Sequence, residues 1–177
     1  MNASRTGRRV VLTLAAVVVF LVVAAAAPAS PGNGADRVPV GNTPGDVGPQ
    51  VCGFPIHIGI VSDREYYIHQ TTLADGTLIQ QVTGTLVLSF TNTDTGKTIT
   101  ENVSGPGSFT TYPDGGFLVD AQGLSFFFFG PIGQANTGEP GFVITSGHAV
   151  AFFDPVTGAA DSFTLTGRQT NGCALLS

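Results

Sequence analysis

One carboxylate in this sequence lies at a position where it could take part in acid–base catalysis. On the strand predicted for residues 97–104, Glu101 shares a face with Ile99 and Val103, because side chains alternate along a strand. If the aliphatic side chains point inward, Glu101 does too, and an inward carboxylate needs a partner or takes a raised pKa. Glu101 is therefore the candidate catalytic residue. The alternatives are a bulge that turns it outward, or an inward charge that protects an edge strand.

The three histidines give no second catalytic or metal-binding motif. His57, His69 and His148 lie far apart, without the short His-x-His or Glu-x-x-His spacing that a metal site on one element needs. The sequence also lacks a nucleophile elbow, a phosphate loop and a dinucleotide fingerprint. We therefore predict no metal site and no cofactor.

Four consecutive phenylalanines, Phe126–Phe129, are the strongest candidate for binding. Alternation places Phe126 and Phe128 on one face, in phase with Leu124, so we expect this pair to point inward. One alternative is that the inner rings line a cavity for a small apolar ligand. The other pair can be covered by the Pro/Gly-rich loop 130–141. It can also form an apolar patch in which Phe127, Phe129 and Phe153 bind a partner.

Two cysteines lie at the two ends of the predicted domain. Cys52 is among its first residues and Cys173 among its last. In an oxidising compartment such an even pair is most simply a disulfide, so we predict a Cys52–Cys173 bond.

The N-terminus has the pattern of a secretory signal. Arg5, Arg8 and Arg9 precede a run without charge over residues 10–27, and Ala27 and Ala29 form a small-x-small cleavage site before Ser30. An uncleaved membrane anchor through residues 10–27 is the alternative, since this length is at the lower limit for a spanning helix. Both alternatives place the remaining chain outside the cytoplasm, either secreted or anchored.

Composition divides the rest of the chain into a linker and one domain. Residues 1–29 form the signal peptide or anchor, and the Pro/Gly-rich residues 30–50 are predicted to be a disordered linker. Residues 51–177 are long enough for one hydrophobic core. Without the leader, four basic residues face all twelve acids, so the formal net charge falls from −5 to −8. No basic patch remains to bind nucleic acid.

Within the domain, hydrophobic residues recur with a period of two. Phe54, Ile56, Ile58 and Ile60 alternate with smaller or polar residues, and no helical periodicity follows residue 50. Turn sequences separate about eight to ten short strands, which favours an all-β fold, either an antiparallel up-and-down barrel or a β-sandwich. We predict the barrel, preceded by the N-terminal hydrophobic helix, because a disulfide between the two ends suits neighbouring first and last strands.

Several short motifs resemble small exported proteins of actinobacteria. They are Cys-Gly-Phe-Pro at 52–55, Asp-x-Gly-Lys at 94–97, Ser-Gly-Pro-Gly at 104–107 and Gly-Cys-Ala at 172–174. The resemblance covers about residues 51–177. That group has no established activity, so the resemblance implies export and a compact β-domain only.

The sequence therefore predicts an exported monomeric β-domain with a binding or structural role at the cell envelope. Its partner would be an envelope component or a small apolar ligand. The alternative is an enzyme, either an isomerase or a hydrolase, that uses Glu101 and a histidine inside a barrel.

Overall fold

The computed structural model describes residues 37–177. The predicted signal or anchor, its hydrophobic helix and the first part of the predicted linker lie outside the described residues. Among residues 37–177, no helix is both long and apolar enough to cross a membrane.

The domain is built almost entirely from antiparallel strands, which confirms the predicted all-β class. The strands are β1 Val38–Pro39, β2 Gly45–Val47, β3 Ile56–Thr72, β4 Leu78–Asn92, β5 Thr98–Asn102, β6 Gly107–Thr111, β7 Phe117–Phe128, β8 Phe142–Phe153 and β9 Ala160–Asn171. Two short helices, α1 Pro131–Thr137 and α2 Gly172–Leu176, complete the chain.

The strands form one open sheet, so the prediction of a closed barrel is wrong. The order across the sheet is β1-β3-β4-β6-β7-β8-β9, with β2 also paired to β3 and β5 also paired to β4. Closure was expected because a disulfide would join neighbouring terminal strands. The Cys52–Cys173 bond is present, with Cα atoms 5.3 Å apart, but it joins the segment before β3 to helix α2. The bond can therefore close the domain without pairing two strands.

Residues 37–50, predicted as part of a disordered linker, differ from that expectation. Val38 and Pro39 pair with Tyr67 and Tyr66, and β2 pairs with Ile56–Ile58 at the start of β3. Backbone hydrogen bonding to an existing strand can order a segment that buries little apolar surface of its own. The ordered domain therefore begins before Val51.

Three strands fold back on themselves at a row of glycines. Gly123, Gly147 and Gly167 lie opposite one another on β7, β8 and β9, with φ values of 92°, 135° and 153°. A Cβ atom on Gly147 would overlap the backbone carbonyl of Thr166. Side chains from both sides of this row meet in one cluster, where Phe127 and Val143 pack with Ala149 and Ala151. We call this row the glycine crease.

The folding at the crease produces two hydrophobic clusters on opposite faces of the β7–β8 tips. In the first, Phe126, Phe128 and Phe142 pack with Phe90 and other apolar residues of β3 and β4. In the second, Phe127 and Phe129 stack with each other and pack edge-on against Phe163. The phenylalanine run is thus covered on both faces.

The two helices span only seven and five residues, which is too short for a periodic signal, so the absence of helical periodicity after residue 50 did not reveal them. Helix α1 has Pro131 at its start and ends at Gly138, which adopts a left-handed conformation with φ 74°. It occupies part of the predicted loop 130–141. Gln134 Nε2 donates to the Phe129 carbonyl at 2.8 Å, and Asn136 Nδ2 donates to the Ala160 carbonyl at 3.1 Å. The segment therefore lies over the second cluster.

Candidate functional site

Glu101 lies on strand β5, which pairs only with β4 among the described strands. It shares a face with Ile99 and Val103, both in contact with the first cluster, and its own side chain is partly exposed. Within residues 37–177 its carboxylate has no hydrogen bond or ion pair. This arrangement matches the edge-strand alternative, and no residue in the described part of the chain makes a hydrogen bond or ion pair with Glu101 that could support acid–base chemistry.

The histidines are not brought together. His57 Nδ1 lies 2.7 Å from Asp46 Oδ1 at the β2–β3 pairing, and His148 Nε2 lies 2.9 Å from Asp120 Oδ1 on β7. His69 is exposed on β3. In the part of the chain that the structure describes, no three His, Cys, Asp or Glu side chains are placed to hold a metal ion.

Two carboxylates that the sequence did not single out lie on the core-facing side of β3. The register of β3 against β4 shifts between Ile60 and Ser62, and again between Tyr67 and His69. Before the first bulge the even-numbered side chains of β3 point inward, and between the two bulges the odd-numbered ones do. Asp63 and Glu65 therefore lie opposite Leu86 and Gly84. A bulge at Val61 has no clear sequence signature, which is why simple alternation missed this pair.

Asn42 bridges the two carboxylates from the loop between β1 and β2. Its Nδ2 donates to Glu65 Oε2 at 2.9 Å and to Asp63 Oδ2 at 3.3 Å. Burial raises the pKa of Glu65, and the nearby charge of Asp63 raises it further, while the hydrogen bond from Asn42 opposes the shift. Burial, and to a lesser extent the charge of Glu65, also raises the pKa of Tyr67, whose buried hydroxyl has no hydrogen-bond partner among residues 37–177.

A shallow groove of about 230 Å³ lies on the other side of the sheet, near the start of β6. Its apolar surface comes mainly from Ile68, Pro106 and Gly107, because Val82, which also borders it, is only 3% exposed. Its polar side chains come from three neighbouring strands, namely Gln81 of β4, Ser108 of β6, and Asp120 and Gln122 of β7. The strand register places Gln81 opposite Ser108, and Ser108 opposite Asp120, so these side chains share one face.

The groove carries polar groups that remain available to a ligand. Within the described residues, the side chains of Gln81, Ser108 and Gln122 make no hydrogen bond. Asp120 is held through Oδ1 by His148, and both of these side chains are still about two-fifths to one-half exposed. The backbone amide of Gln122 donates to the Pro106 carbonyl at 2.8 Å, which fixes the groove's edge.

The groove residues do not form a nucleophilic triad. A triad needs the histidine between the serine and the carboxylate, so that the imidazole can accept the hydroxyl proton. Here Asp120 lies between Ser108, its cross-strand neighbour, and His148, its hydrogen-bond partner. Ser108 and His148 make no hydrogen bond with each other, so the serine is not activated by this histidine.

The predicted apolar patch is not present on the surface. Phe127 and Phe129 are only 4% and 1% exposed, and Phe153 is half-buried beside Phe117. The expected inward pair, Phe126 and Phe128, does pack into the first cluster, but Phe127 and Phe129 pack into the second cluster and are more deeply buried. Alternation identified the pairs, but it gave no sign that the strands fold back and cover both faces.

Sequence reasoning missed the groove, although a signal for it exists. Asp120 and Gln122 alternate with Val119 and Ala121, and His148 lies between apolar neighbours on β8, a pattern that marks one polar face. The cross-strand register that joins these residues to Gln81 and Ser108 is not readable from the sequence. No protein-family model, curated protein or solved structure matches this chain.

Proposed function

We propose that the protein is exported and that its β-domain acts at the cell envelope by binding, with the groove between β4, β6 and β7 as the ligand site. The observation that carries this proposal is a group of three side chains, Gln81, Ser108 and Gln122, which make no hydrogen bond within residues 37–177 and lie beside a carboxylate that His148 orients. Polar groups that converge on a depression are the usual mark of a binding site.

Export is supported by two independent features. The N-terminal pattern of arginines, an apolar run and a small-x-small site is that of a secretory signal. The Cys52–Cys173 bond is of the kind that persists in oxidising compartments. If the apolar run over residues 10–27 is retained, it would tether the domain to the membrane surface.

A second candidate function is acid–base catalysis at Asp63 and Glu65. The favouring observation is the raised pKa of Glu65 beside a second carboxylate, because catalytic acids are often tuned in this way. However, the amide group of Asn42 donates hydrogen bonds to both carboxylates. The pair therefore already has a structural role, which is to hold the loop that carries Asn42. Binding at the groove is therefore the function that the geometry supports better.

The test is co-sedimentation of the purified full-length protein with isolated cell envelopes from the producing organism. We expect the wild-type protein to sediment with the envelopes, and the double variant Gln81→Ala/Gln122→Ala to remain in the supernatant. Thr164→Ala is the matched control, since Thr164 is exposed on the same sheet face two strands from Asp120. Equal sedimentation of wild type and double variant, or none by wild type, would contradict the proposal.

A further inference from the structure

The size of the groove limits the ligand to a small unit. Its volume of about 230 Å³ is below the range of about 300–1,000 Å³ that is typical of pockets for drug-sized ligands. This volume equals that of roughly seven or eight water molecules in liquid water. A single six-membered ring with its substituents fits this space, and a longer ligand would have to extend over the open sheet surface.

The polar side chains of the groove select the ligand's chemistry. Gln81, Ser108 and Gln122 can each donate and accept a hydrogen bond, and Asp120 can only accept when it is ionised. Hydroxyl groups also do both, so a ring with several hydroxyls can satisfy all four side chains. A purely apolar ligand would instead leave these groups unpaired, which is unfavourable.

The charge of the groove lining further limits the class of ligand that it can bind. Among residues 37–177, no lysine or arginine lines the groove, and the one formal charge in its lining is the carboxylate of Asp120. A phosphate or carboxylate ligand would lack a cationic partner and would be repelled by Asp120. The apolar residues Ile68 and Pro106 provide a surface for the C–H groups of a ring.

We infer that the groove binds one neutral, hydroxyl-rich ring, such as a single hexose or N-acetylhexosamine unit of a longer saccharide. This inference rests on the proposed function and names the ligand class of the same site. His148 is a positioning residue here, because its hydrogen bond at 2.9 Å fixes Asp120 while leaving the second carboxylate oxygen free for a ligand hydroxyl. A small, open site of this kind has a dissociation constant on the order of 1 mM.

The experiment is an NMR titration of the ¹⁵N-labelled full-length protein. Glucose and N-acetylglucosamine are the neutral probes, glucuronic acid is the anionic probe, and cyclohexanol is the ring with a single hydroxyl. We expect saturable shifts of the backbone amides of Gln81, Ser108 and Gln122 with at least one neutral sugar. Binding should weaken with glucuronic acid and be absent with cyclohexanol.

Variants separate the groove from general surface effects. Gln122→Ala should weaken sugar binding about fivefold, the effect of one lost hydrogen bond, while Thr164→Ala should leave it unchanged. Retained amide dispersion and thermal midpoint would show that the variants are folded. Non-saturable shifts, equal binding of cyclohexanol, or wild-type affinity in Gln122→Ala would overturn the inference.

The two proposals fail in distinguishable ways. If envelope co-sedimentation depends on Gln81 and Gln122 but no neutral sugar titrates the groove, the saccharide inference is overturned and the binding function stands. If the neutral sugars saturate the groove but the protein does not sediment with envelopes, the envelope role is overturned and the ligand class stands.

Discussion

The ring of Phe127 lies 5.2 Å from the ring of Phe163, centroid to centroid, although the two residues pair with positions on β8 that are eight residues apart. Phe127 pairs with Val143 and Phe163 pairs with Ala151. Eight residues of extended strand span about 26 Å. The contact therefore requires the strands to fold back, which they do at the glycine crease.

Both faces of the phenylalanine run should contribute to stability. We expect Phe127→Ala to lower the free energy of unfolding by about 3–5 kcal/mol, through lost burial and the cavity that remains. Phe128→Ala should cost less but still well over 1 kcal/mol, because its ring is partly buried against Phe142 at 4.6 Å. Denaturant unfolding measures both. Val156→Ala, at a side chain that is 89% exposed, is the neutral control.

The glycine crease should not tolerate a side chain. Gly147→Ala places a Cβ against the Thr166 carbonyl and forces a φ of 135° on an L-residue, so we expect a loss of more than about 2 kcal/mol. Gly130→Ala is the control, since a Cβ there meets no atom of the described residues within 4 Å. Thermal unfolding that showed equal stability for the two variants would contradict the strain at the crease.

The Cys52–Cys173 bond should stabilise the domain substantially. It closes a loop with a sequence separation of 121 residues, and removal of a native disulfide commonly costs about 2–5 kcal/mol. The double variant Cys52→Ala/Cys173→Ala avoids a leftover thiol. We expect its denaturation midpoint to match that of the reduced wild-type protein. A midpoint equal to that of the oxidised protein would show that the bond contributes nothing.

Glu65 should make stability depend on pH. Because burial raises its pKa in the folded state, its favourable contribution is complete below its unfolded value of about 4.3 and is lost as the pH rises through the folded value. Glu65→Gln should therefore gain stability relative to wild type as the pH increases across that window. Thermal midpoints measured from acid to neutral pH test this.

Asn42→Ala provides the matched comparison for Glu65. Asn42 donates to the ionised carboxylate and so lowers its pKa, and its removal should raise that pKa further and widen the pH-dependent loss. If Asn42→Ala and wild type show the same pH profile, the hydrogen bond from Asn42 does not stabilise the charged form of Glu65.

The sequence predicted features that depend on local pattern and on covalent chemistry. Alternation in Ile56, Ile58 and Ile60 identified strand β3, and the position of the two cysteines identified their bond. The sequence could not predict the bulge at Val61, because a single extra residue leaves no trace in the composition. That residue nevertheless changes which side chains of the rest of β3 point inward. Asp63 and Glu65 were missed for that reason.

The same limit applies to the architecture. Glycines inside strands favour strong bending, but bending suits both a closed barrel and a sheet that folds on itself. The difference depends on whether Gly123, Gly147 and Gly167 lie opposite one another, which is a property of long-range register. The groove depends on register in the same way, because Gln81, Ser108 and Asp120 come from three strands.

The tips of β7 and β8 act as a partition wall with a hydrophobic compartment on each side. Phe126 and Phe128 belong to one compartment, and Phe127 and Phe129 to the other. If one hydrophobic cluster opened alone, its apolar side chains on β7 and β8 would be exposed to water while the other cluster stayed packed. Hydrating that apolar surface is unfavourable. We therefore expect one cooperative unfolding transition, with neither compartment unfolding first. Far-UV circular dichroism and amide exchange of β4 and β9 can test this, since neither method needs a tryptophan.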